Sequence, residues 1–393
     1  MMRVSTQPCP IQVRLPSWLV ALVTIGAMFA PVEVVLGIAV VAYALNDIFQ
    51  GVVVPRPTPA QYRLSRLVVL NGWRLWRALG LRSRTTDGRE RILGTFAPLT
   101  LVVLLVLWLS VVVLGFGLIF YGLRNELHPL VHDFPTALYF AGTSVLTIGF
   151  GDIVATSGLG RFLALVAGGF GLGTIALAIS FLFSLYSSFQ RREVLVVTLD
   201  ARAGAPPSGV SLLETTAKYG LDEDLPRLFG EWEKWAAEVL DSHLAYPLLA
   251  YFRSSHDNES WVSALGAVLD AATLTLTTLV DGPRGPAKMM LAMGTHLVED
   301  LARFFSMPGD HDAGVERYEF DQARERLSAA GWRLLGPEES WVAFSRLRMQ
   351  YASQLNNMAK FWAAPPTQWI GDRSIVRFAS QRHQEVPARV ASR

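Results

Sequence analysis

The residues from Ser144 to Asp152 read Ser-Val-Leu-Thr-Ile-Gly-Phe-Gly-Asp, with two glycines separated by one residue. Glycine enters the left-handed backbone region without the steric penalty that other residues meet there. A chain that alternates between ordinary and left-handed conformations can turn successive carbonyl oxygens toward one axis, where they replace the water around a cation. The simpler alternative is a glycine-rich turn that joins two membrane helices.

This segment resembles the potassium-channel signature Thr-x-Gly-x-Gly-Asp, and the resemblance covers Phe96 to Ser188. It implies an ion-selective filter that consists of Thr147, Ile148, Gly149, Phe150 and Gly151. Potassium would be held by the carbonyl oxygens of the first four residues and by the threonine hydroxyl. The isoleucine and phenylalanine side chains would point away from the ion and pack behind the filter.

The chain departs from the common filter pattern in three residues. Ser144 stands where the signature usually begins with threonine, so a hydroxyl is kept. In many relatives a filter tyrosine bonds a tryptophan of the preceding helix, and those positions match Phe150 and Phe140 here. Removing both partners of a hydrogen bond costs far less than leaving one unpaired.

Three further residues are expected to support the filter. Tyr139 has a hydroxyl where relatives often place an indole that bonds the aspartate matching Asp152. Thr143 stands where some relatives carry a carboxylate behind the filter. The resemblance therefore favours potassium selectivity and leaves inactivation open.

A short helix is predicted directly before this loop. Asp133 can cap its amino end, and Pro135 suits its first turn. The segment Pro135 to Leu146 is too short to cross a bilayer, which needs about twenty apolar residues. We expect a re-entrant helix whose carbonyl end favours a cation, since non-helical backbone at membrane depth is tolerated where it lines water.

Two uncharged runs flank this unit, Ile92–Leu123 and Phe162–Gln190, and each is long enough to span a membrane. The basic residues at their outer ends are Arg82, Arg84, Arg89, Arg91, Arg191 and Arg192. Positively charged flanks face the cytoplasm, so both ends of the unit are expected inside and the filter loop outside.

The second run contains glycines near its middle that have two interpretations. Small residues allow close helix packing, whereas the resemblance implies a gating hinge at Gly168, Gly169 and Gly171. Both can hold at once. Residues expected to line a central cavity below them are Thr174, Ile175, Ala178 and Ile179.

A further apolar stretch, Trp18 to Phe49, contains Pro31, Glu33 and Asp47. It predicts either one long helix kinked at the proline or two shorter segments. A cleaved signal peptide is disfavoured, because no small-residue cleavage site stands out. The charge bias favours one crossing with an external amino terminus.

The linker that follows mixes leucines with arginines between Tyr62 and Leu79. A voltage sensor would need arginine at nearly every third position and a supporting bundle. We expect instead a helix on the membrane surface, where its arginines could meet anionic lipid.

The second half predicts a separate helical bundle with one strand, Val194–Leu199, before a glycine- and proline-rich linker, Ala203–Gly209. The expected helices are Leu212–Tyr219, Leu225–Phe252, Ser260–Val280, Pro286–Phe305 and two more between Val315 and Trp362. No Gly-x-Gly-x-x-Gly turn follows the strand, so no dinucleotide ligand is predicted.

Several polar residues of this half lie among apolar neighbours: His243, Tyr246, Arg253, His256 and Asp270. A ligand or proton sensor is one interpretation, and satisfied structural hydrogen bonding is favoured over it. A metal held by His296, Glu299 and Asp300 is disfavoured, because this spacing is commonplace on helices. No cofactor beyond potassium ions is expected.

The sequence thus predicts an all-α membrane protein. Its expected segments are an N-terminal membrane segment (1–54), a basic interfacial linker (55–91), a two-helix pore domain with re-entrant helix and filter (92–190), a helical cytoplasmic domain (191–371) and a disordered tail (372–393). Thirty-one arginines against four lysines favour a bacterial source with GC-rich DNA.

The function expected from these features is passive potassium conduction across the inner membrane, with gating biased by the cytoplasmic domain. One filter segment per chain predicts a homotetramer, because four must converge on one axis. The alternatives are a weakly selective cation channel and a membrane-anchored sensor with a vestigial pore. An enzyme is not predicted, and the expected partners are potassium, lipid and further copies of the chain, with no nucleic acid.

Overall fold

The structure is a computed structural model that describes residues 17–54, 63–254, 259–307, 309 and 312–371, with only the backbone described at residues 17–30 and 86. The chain divides into two compact units. The first consists of Met1–Gln50 and Val103–Ile179, and the second of Gly51–Val102 and Ser180–Arg393. This division places the basic linker in the same unit as the C-terminal helices. The five-segment division made from the sequence stays a prediction.

The described residues form thirteen α-helices and one pair of two-residue strands. The helices are α1 (Ser17–Ile48), α2 (Leu64–Leu81), α3 (Thr86–Gly94), α4 (Phe96–Gly122), α5 (Phe134–Val145), α6 (Gly158–Ala203), α7 (Gly209–Lys218), α8 (Leu225–Ala245), α9 (Trp261–Thr277), α10 (Arg284–Phe304), α11 (Arg317–Ala329), α12 (Pro337–Arg348) and α13 (Ala352–Phe361). The antiparallel strands are β1 (Leu127–His128) and β2 (Val154–Ala155). The predicted all-α class is confirmed.

Three helical stretches are long and apolar enough to cross a membrane: Pro31–Val53, Asp87–Gly122 and Gly158–Ala203. The first ends in a π-helical turn, Phe49–Val53, that directly follows α1. The N-terminal apolar run therefore forms one continuous helix with Pro31 inside it, in agreement with the single helix of the first alternative. The kink at Pro31 stays a prediction.

In the first unit, α1 packs antiparallel to α4 through contacts at three levels. Glu33 forms an ion pair with Arg124 at 2.9 Å. In the middle, a Cβ atom added to Gly37 would lie 2.6 Å from the carbonyl oxygen of Gly115, so glycine is required for this approach. At the other end, the Trp108 indole donates to the buried Asp47 carboxylate at 2.8 Å.

The predicted strand at Val194–Leu199 is wrong, because these residues continue α6 as far as Ala203. Val196, Leu199 and Ala203 are all buried, at spacings of three and four residues that place them on one face of a helix. These side chains pack inside the second unit, and among the described residues no strand lies beside this run to pair with it.

Two further boundaries in the C-terminal half differ from the sequence prediction. The helix expected to run to Phe252 ends at Ala245, because Pro247 begins a 3-10 turn that extends to Tyr251. The region between Val315 and Trp362 forms three helices, α11 to α13, where two were predicted. The predicted tail beyond Gly371 lies outside the described residues, as does His256.

The core of the second unit is built around α9. Sixteen residues of this helix are buried, so it is enclosed on every side. Its neighbours are α7, α8, α10, α12 and α13. Every polar side chain of a helix surrounded in this way needs a hydrogen-bond partner inside the protein. Asp270 needs partners most, because a buried charge costs more free energy than a buried neutral group.

Asp270 is satisfied by two buried partners from the last helices. The Arg348 guanidinium binds its carboxylate at 2.8 and 3.2 Å, and the Tyr351 hydroxyl donates to it at 2.7 Å. The same guanidinium donates to the carbonyl oxygens of Trp369 and Ala313. The network joins α9 to α12 and to the end of the described chain.

We predict that Asp270→Asn lowers the free energy of unfolding of the full protein by about 3–5 kcal/mol, because it removes the buried carboxylate that binds the Arg348 guanidinium. Thermal unfolding followed by circular dichroism in detergent measures the loss. Glu238→Gln is the matched control, because it removes an exposed ion pair with Lys234. Equal melting temperatures for the two variants would contradict the assigned role.

Candidate functional site

The candidate site is the loop between α5 and α6 together with the elements that hold it. The Asp133 side chain accepts from the Thr136 amide at 2.8 Å and begins α5, as the sequence predicts. This helix has twelve residues, which makes it about 18 Å long and too short to cross a bilayer. Its length therefore fits a helix that does not cross the membrane, as predicted for a re-entrant segment.

The backbone of the loop alternates in handedness. Thr147, Gly149 and Gly151 have φ angles of +56°, +59° and +80°, whereas Ile148 and Phe150 between them do not have positive φ. Threonine rarely adopts this region, so its conformation must be imposed by its surroundings. Such an alternation turns successive carbonyl oxygens to one side of the chain.

The amide groups of the loop are tied back to the end of α5. The Thr143 carbonyl oxygen accepts from the amides of Ile148 at 2.8 Å and Gly149 at 3.2 Å, and Thr147 donates to Ser144 at 3.1 Å. Within the described part of the chain, no hydrogen bond reaches the carbonyl oxygens of residues 147–150. These oxygens are therefore free to coordinate a cation.

Aromatic and hydroxyl groups support the loop from the α5 side. The Tyr139 hydroxyl interacts with the nearby Asp152 carboxylate, and its ring stacks on Phe150 with the ring centres 6.5 Å apart. Phe140 is buried and contacts Phe120 edge-on at 4.8 Å. The buried Thr143 hydroxyl donates to the carbonyl oxygen of Phe140 at 3.0 Å, and Ser144 is half-buried.

Two large apolar side chains of the loop are exposed. Ile148 is 51% exposed and Phe150 is 68% exposed, although both side chains are large and apolar. These residues were expected to pack behind the filter, and one copy of the chain covers neither of them. Exposed apolar side chains beside free carbonyl oxygens indicate a surface that another molecule covers.

Two of the three hinge candidates lie against the end of α5. A Cβ atom on Gly171 would lie 1.7 Å from the Val145 carbonyl oxygen, and one on Gly168 would lie 3.3 Å from that of Ser144. A Cβ on Gly169 would meet nothing within 4 Å. Close packing therefore accounts fully for a glycine at position 171 and partly for one at position 168. Packing within a single chain does not account for the glycine at position 169.

The four cavity candidates differ in burial within the protomer. Thr174 is buried at 3% exposure, Ile175 and Ala178 are half-buried, and Ile179 is 50% exposed. A cavity shared by several copies would leave its lining exposed in one copy. The exposed Ile179 therefore agrees best with a place in the lining of such a cavity, and the buried Thr174 agrees least.

In the second unit, Arg192 near the end of α6 is fully buried, which the sequence did not reveal. Its guanidinium contacts the Glu193 carboxylate and donates to the carbonyl oxygens of Leu249 and Phe252, all at 2.9 Å. The Trp235 indole donates to the Arg192 carbonyl oxygen at 2.9 Å. In sequence this residue resembles its exposed neighbour Arg191, and no signal separates the two.

His243 completes this cluster as a neutral side chain. Burial holds its pKa well below the usual value, and the nearby Arg192 charge lowers the pKa further. One ring nitrogen lies 2.8 Å from the Val239 carbonyl oxygen and the other 3.2 Å from the Arg192 guanidinium. The first nitrogen donates its hydrogen and the second accepts, so the ring is satisfied without a ligand.

The 3-10 turn that Arg192 holds also contacts the basic linker. Tyr251 packs on the ring of Trp73 at 5.1 Å and on that of Phe96 at 5.4 Å. Two residues later, the Arg253 guanidinium binds the Glu90 carboxylate of α3 at 2.7 Å. One short segment therefore contacts the end of α6 and the residues that lead into α4.

The other polar residues singled out from the sequence contact neighbouring side chains of the protein. Tyr246 packs on Phe181 with the ring centres 5.6 Å apart. His296 lies 3.6 Å from Asp300, which is also bonded to Arg303. Among the residues that the structure describes, no group of three histidine, cysteine or acidic side chains is arranged to hold a metal.

Comparison with known proteins relates one part of the chain to a class of protein. Residues 103–188 match the family model described as "Ion channel". This stretch includes α5, the alternating loop and most of α6. The match indicates an ion channel, and it suggests a transport role in place of an enzymatic one.

The chain is also similar to the uncharacterized membrane protein YdjJ of Bacillus subtilis (strain 168). The two are 26% identical over 208 residues, which is 52% of this chain and 58% of that protein. The chain thus spans less than two thirds of the length of the relative. With the three apolar helices, this likeness indicates a multi-pass membrane protein. No solved structure matches significantly.

We predict that Gly171→Ala destabilises the first unit by about 1–3 kcal/mol, because the added carbon meets a backbone carbonyl that cannot move aside. Gly173→Ala is the matched control on the same helix, since its added carbon meets nothing within 4 Å. Thermal unfolding of the two detergent-solubilised variants makes the comparison. If they unfold at the same temperature, α6 does not pack against α5 at Gly171.

Proposed function

We propose that the chain forms a potassium-selective channel as a homotetramer. The observation that carries this proposal is the loop of alternating handedness, with φ of +56°, +59° and +80° at Thr147, Gly149 and Gly151. Its unbonded carbonyl oxygens are suited to replace the water shell of a potassium ion. By this proposal the filter is Thr147 to Gly151, with potassium at the carbonyl oxygens of the first four residues.

The tetramer is proposed because one loop by itself cannot surround an ion. A single loop offers carbonyl oxygens from one side only, and four copies around an axis would surround the ion. Four copies would also cover the exposed Ile148 and Phe150 side chains. The exposed apolar side chains of α6, including Leu165 at 77% and Phe183 at 71%, offer further surface to neighbours and lipid.

The orientation in the membrane is proposed from charge. Arginines lie before α4 and after the apolar part of α6, at the ends that are remote from the loop in sequence. Positive residues are retained on the cytoplasmic side, so the helical domain would be cytoplasmic and the loop external, in the inner membrane. No cofactor beyond potassium is proposed.

We further propose that the helical domain shifts the balance between the open and closed pore through its contacts with α6. Arg192 lies on the same continuous helix as the glycine candidates, and the 3-10 turn holds it by two carbonyl oxygens. A change in the position of that turn would be transmitted along α6. Of the three hinge candidates Gly168, Gly169 and Gly171, the hinge is assigned to Gly169, because a Cβ atom there would meet nothing within 4 Å.

Two rivals remain distinct from this proposal. A weakly selective cation channel would pass sodium and potassium alike, and a polar residue at position 150 would have favoured it. A membrane-anchored sensor with a vestigial pore would form intact tetramers that carry no flux in liposomes.

We predict that Gly149→Ala and Gly151→Ala each abolish selective potassium current. A side chain in the left-handed region costs about 1–2 kcal/mol per residue, and four subunits multiply the cost in one pore. Reversal potentials in mixed potassium and sodium solutions measure the selectivity. Gly230→Ala is the control, because this glycine of α8 has open space around it. Unchanged selectivity in either filter variant would refute the filter assignment.

We predict that Arg192→Gln uncouples the helical domain from the pore, so that potassium flux approaches that of a chain ending after Arg192. The change leaves Glu193 buried without its cation, at a cost of about 3–5 kcal/mol. Arg191→Gln is the control, because Arg191 is exposed and, among the described residues, its side chain bonds only serines of its own helix. Flux through Arg192→Gln equal to that of the control would exclude Arg192 as the coupling residue.

A further inference from the structure

Helix α2 has two apolar faces, and the second unit covers only one of them. Trp73 on the covered face is 2% exposed. Its ring contacts Phe96 at 5.2 Å and Tyr251 at 5.1 Å, and its indole donates to the Phe361 carbonyl oxygen at 3.1 Å. This face fixes the rotation of α2 about its own axis.

The opposite face presents leucines to the outside. Leu67, Leu75 and Leu79 are 46%, 57% and 39% exposed, and they recur at multiples of four residues along the helix. Such positions lie on one side of an α-helix, away from Trp73. Leu81, at 47% exposure, extends the apolar surface at the end of the helix.

Arginines without a carboxylate partner lie close to these leucines in the sequence. From Arg63 to Thr86 the sequence holds six arginines and no acidic residue. The exposed arginines of this region and of α3 are Arg66, Arg74, Arg82, Arg84 and Arg91. Among the residues that the structure describes, none of these five lies within 4.0 Å of a carboxylate. The neighbouring acid Glu90 is already bonded to Arg253.

The position of α2 in the chain limits where this surface can lie. It stands between two candidate membrane spans, Pro31–Val53 and Asp87–Gly122, and the second begins soon after α2 ends at Leu81. A helix attached at both ends to membrane spans is held close to the bilayer surface. Exposed leucines among arginines are the composition of a helix that lies in the interface.

We propose that the Leu67–Leu75–Leu79 face of α2 binds the headgroup region of an anionic lipid leaflet. The leucines enter the boundary between headgroups and acyl chains, and the exposed arginines bind lipid phosphates. Each arginine near such a surface adds to the attraction, so binding increases with the anionic fraction of the lipid. The covered Trp73 face then connects this lipid contact to the helical domain. The inference does not depend on which ion the pore conducts.

The test places a fluorescent reporter on this face in the full-length chain. Cys9 is the only cysteine, so Cys9→Ser gives a background in which Leu75→Cys can be labelled with an environment-sensitive dye. Leu67→Cys provides a second position should the first variant fold poorly. Tyr318→Cys on α11 is the matched control, because Tyr318 is 56% exposed against 57% for Leu75.

The labelled proteins are placed in nanodiscs of phosphatidylglycerol mixed with phosphatidylcholine, with nitroxide-labelled lipid as quencher. We expect dye on α2 to shift to the blue and to be quenched, with both effects growing as the phosphatidylglycerol fraction rises. Dye at position 318 should stay in water. A dye on α2 that shifts to the blue without lipid quenching would show that a protein neighbour covers the face, and a dye that stays in water would show that nothing does; either overturns the proposal.

Charge variants separate the arginines from the leucines. Combining Arg74→Gln, Arg82→Gln and Arg84→Gln should raise several-fold the phosphatidylglycerol fraction needed for half-maximal quenching. Combining Arg284→Gln, Lys288→Gln and Arg346→Gln removes the same charge from exposed positions on α10 and α12, and it should leave that fraction unchanged. An equal shift in both triple variants would overturn a specific contact through α2.

Discussion

The structure depends on the two amides that the Thr143 carbonyl oxygen holds. A backbone of alternating handedness is not a stable conformation in isolation, because Thr147 in the left-handed region costs about 1–2 kcal/mol. Bonds from Ile148 and Gly149 to the end of α5 offset that cost and occupy the donors of the loop. Within the described residues, the carbonyl oxygens of Ile148 and Gly149 accept no hydrogen bond, and this asymmetry between donors and acceptors is the basis of the proposed cation site.

The position of α5 therefore matters as much as the loop. A Cβ on Gly117 of α4 would lie 2.9 Å from Leu138, and one on Gly171 of α6 would clash with the Val145 carbonyl oxygen. Glycines on the two long helices thus let them approach α5 from both sides. Helix α1 reinforces α4 through its ion pair, its glycine contact and the bond from Trp108 to Asp47. The third long helix is in this way part of the same packed unit.

Buried polar clusters organise the second unit. Arg192 and Arg348 each lie in apolar surroundings, where an unpaired charge would be very costly. Each is bound by a carboxylate and by backbone carbonyl oxygens, so the helices that supply those groups are fixed in register. The basic linker belongs to the same unit, because Trp73 donates to the Phe361 carbonyl oxygen and Glu90 binds Arg253. The residues that precede α4 and the last part of α6 are therefore packed in one unit.

The sequence by itself determined the features that depend on local chemistry: the long apolar helices, the capped short helix, the glycine alternation and the helical class of the C-terminal half. Prediction from local sequence failed where contacts with residues distant in sequence decided the secondary structure or the burial of a side chain. The run Val194–Leu199 has strand-forming residues, yet burial of one helical face made it the end of α6. Arg191 and Arg192 are chemically identical neighbours, and only the partners brought by α8 and the 3-10 turn made one exposed and the other buried. The type and spacing of residues along the chain determine local structure. Which residues distant in sequence come into contact is decided only when the helices pack.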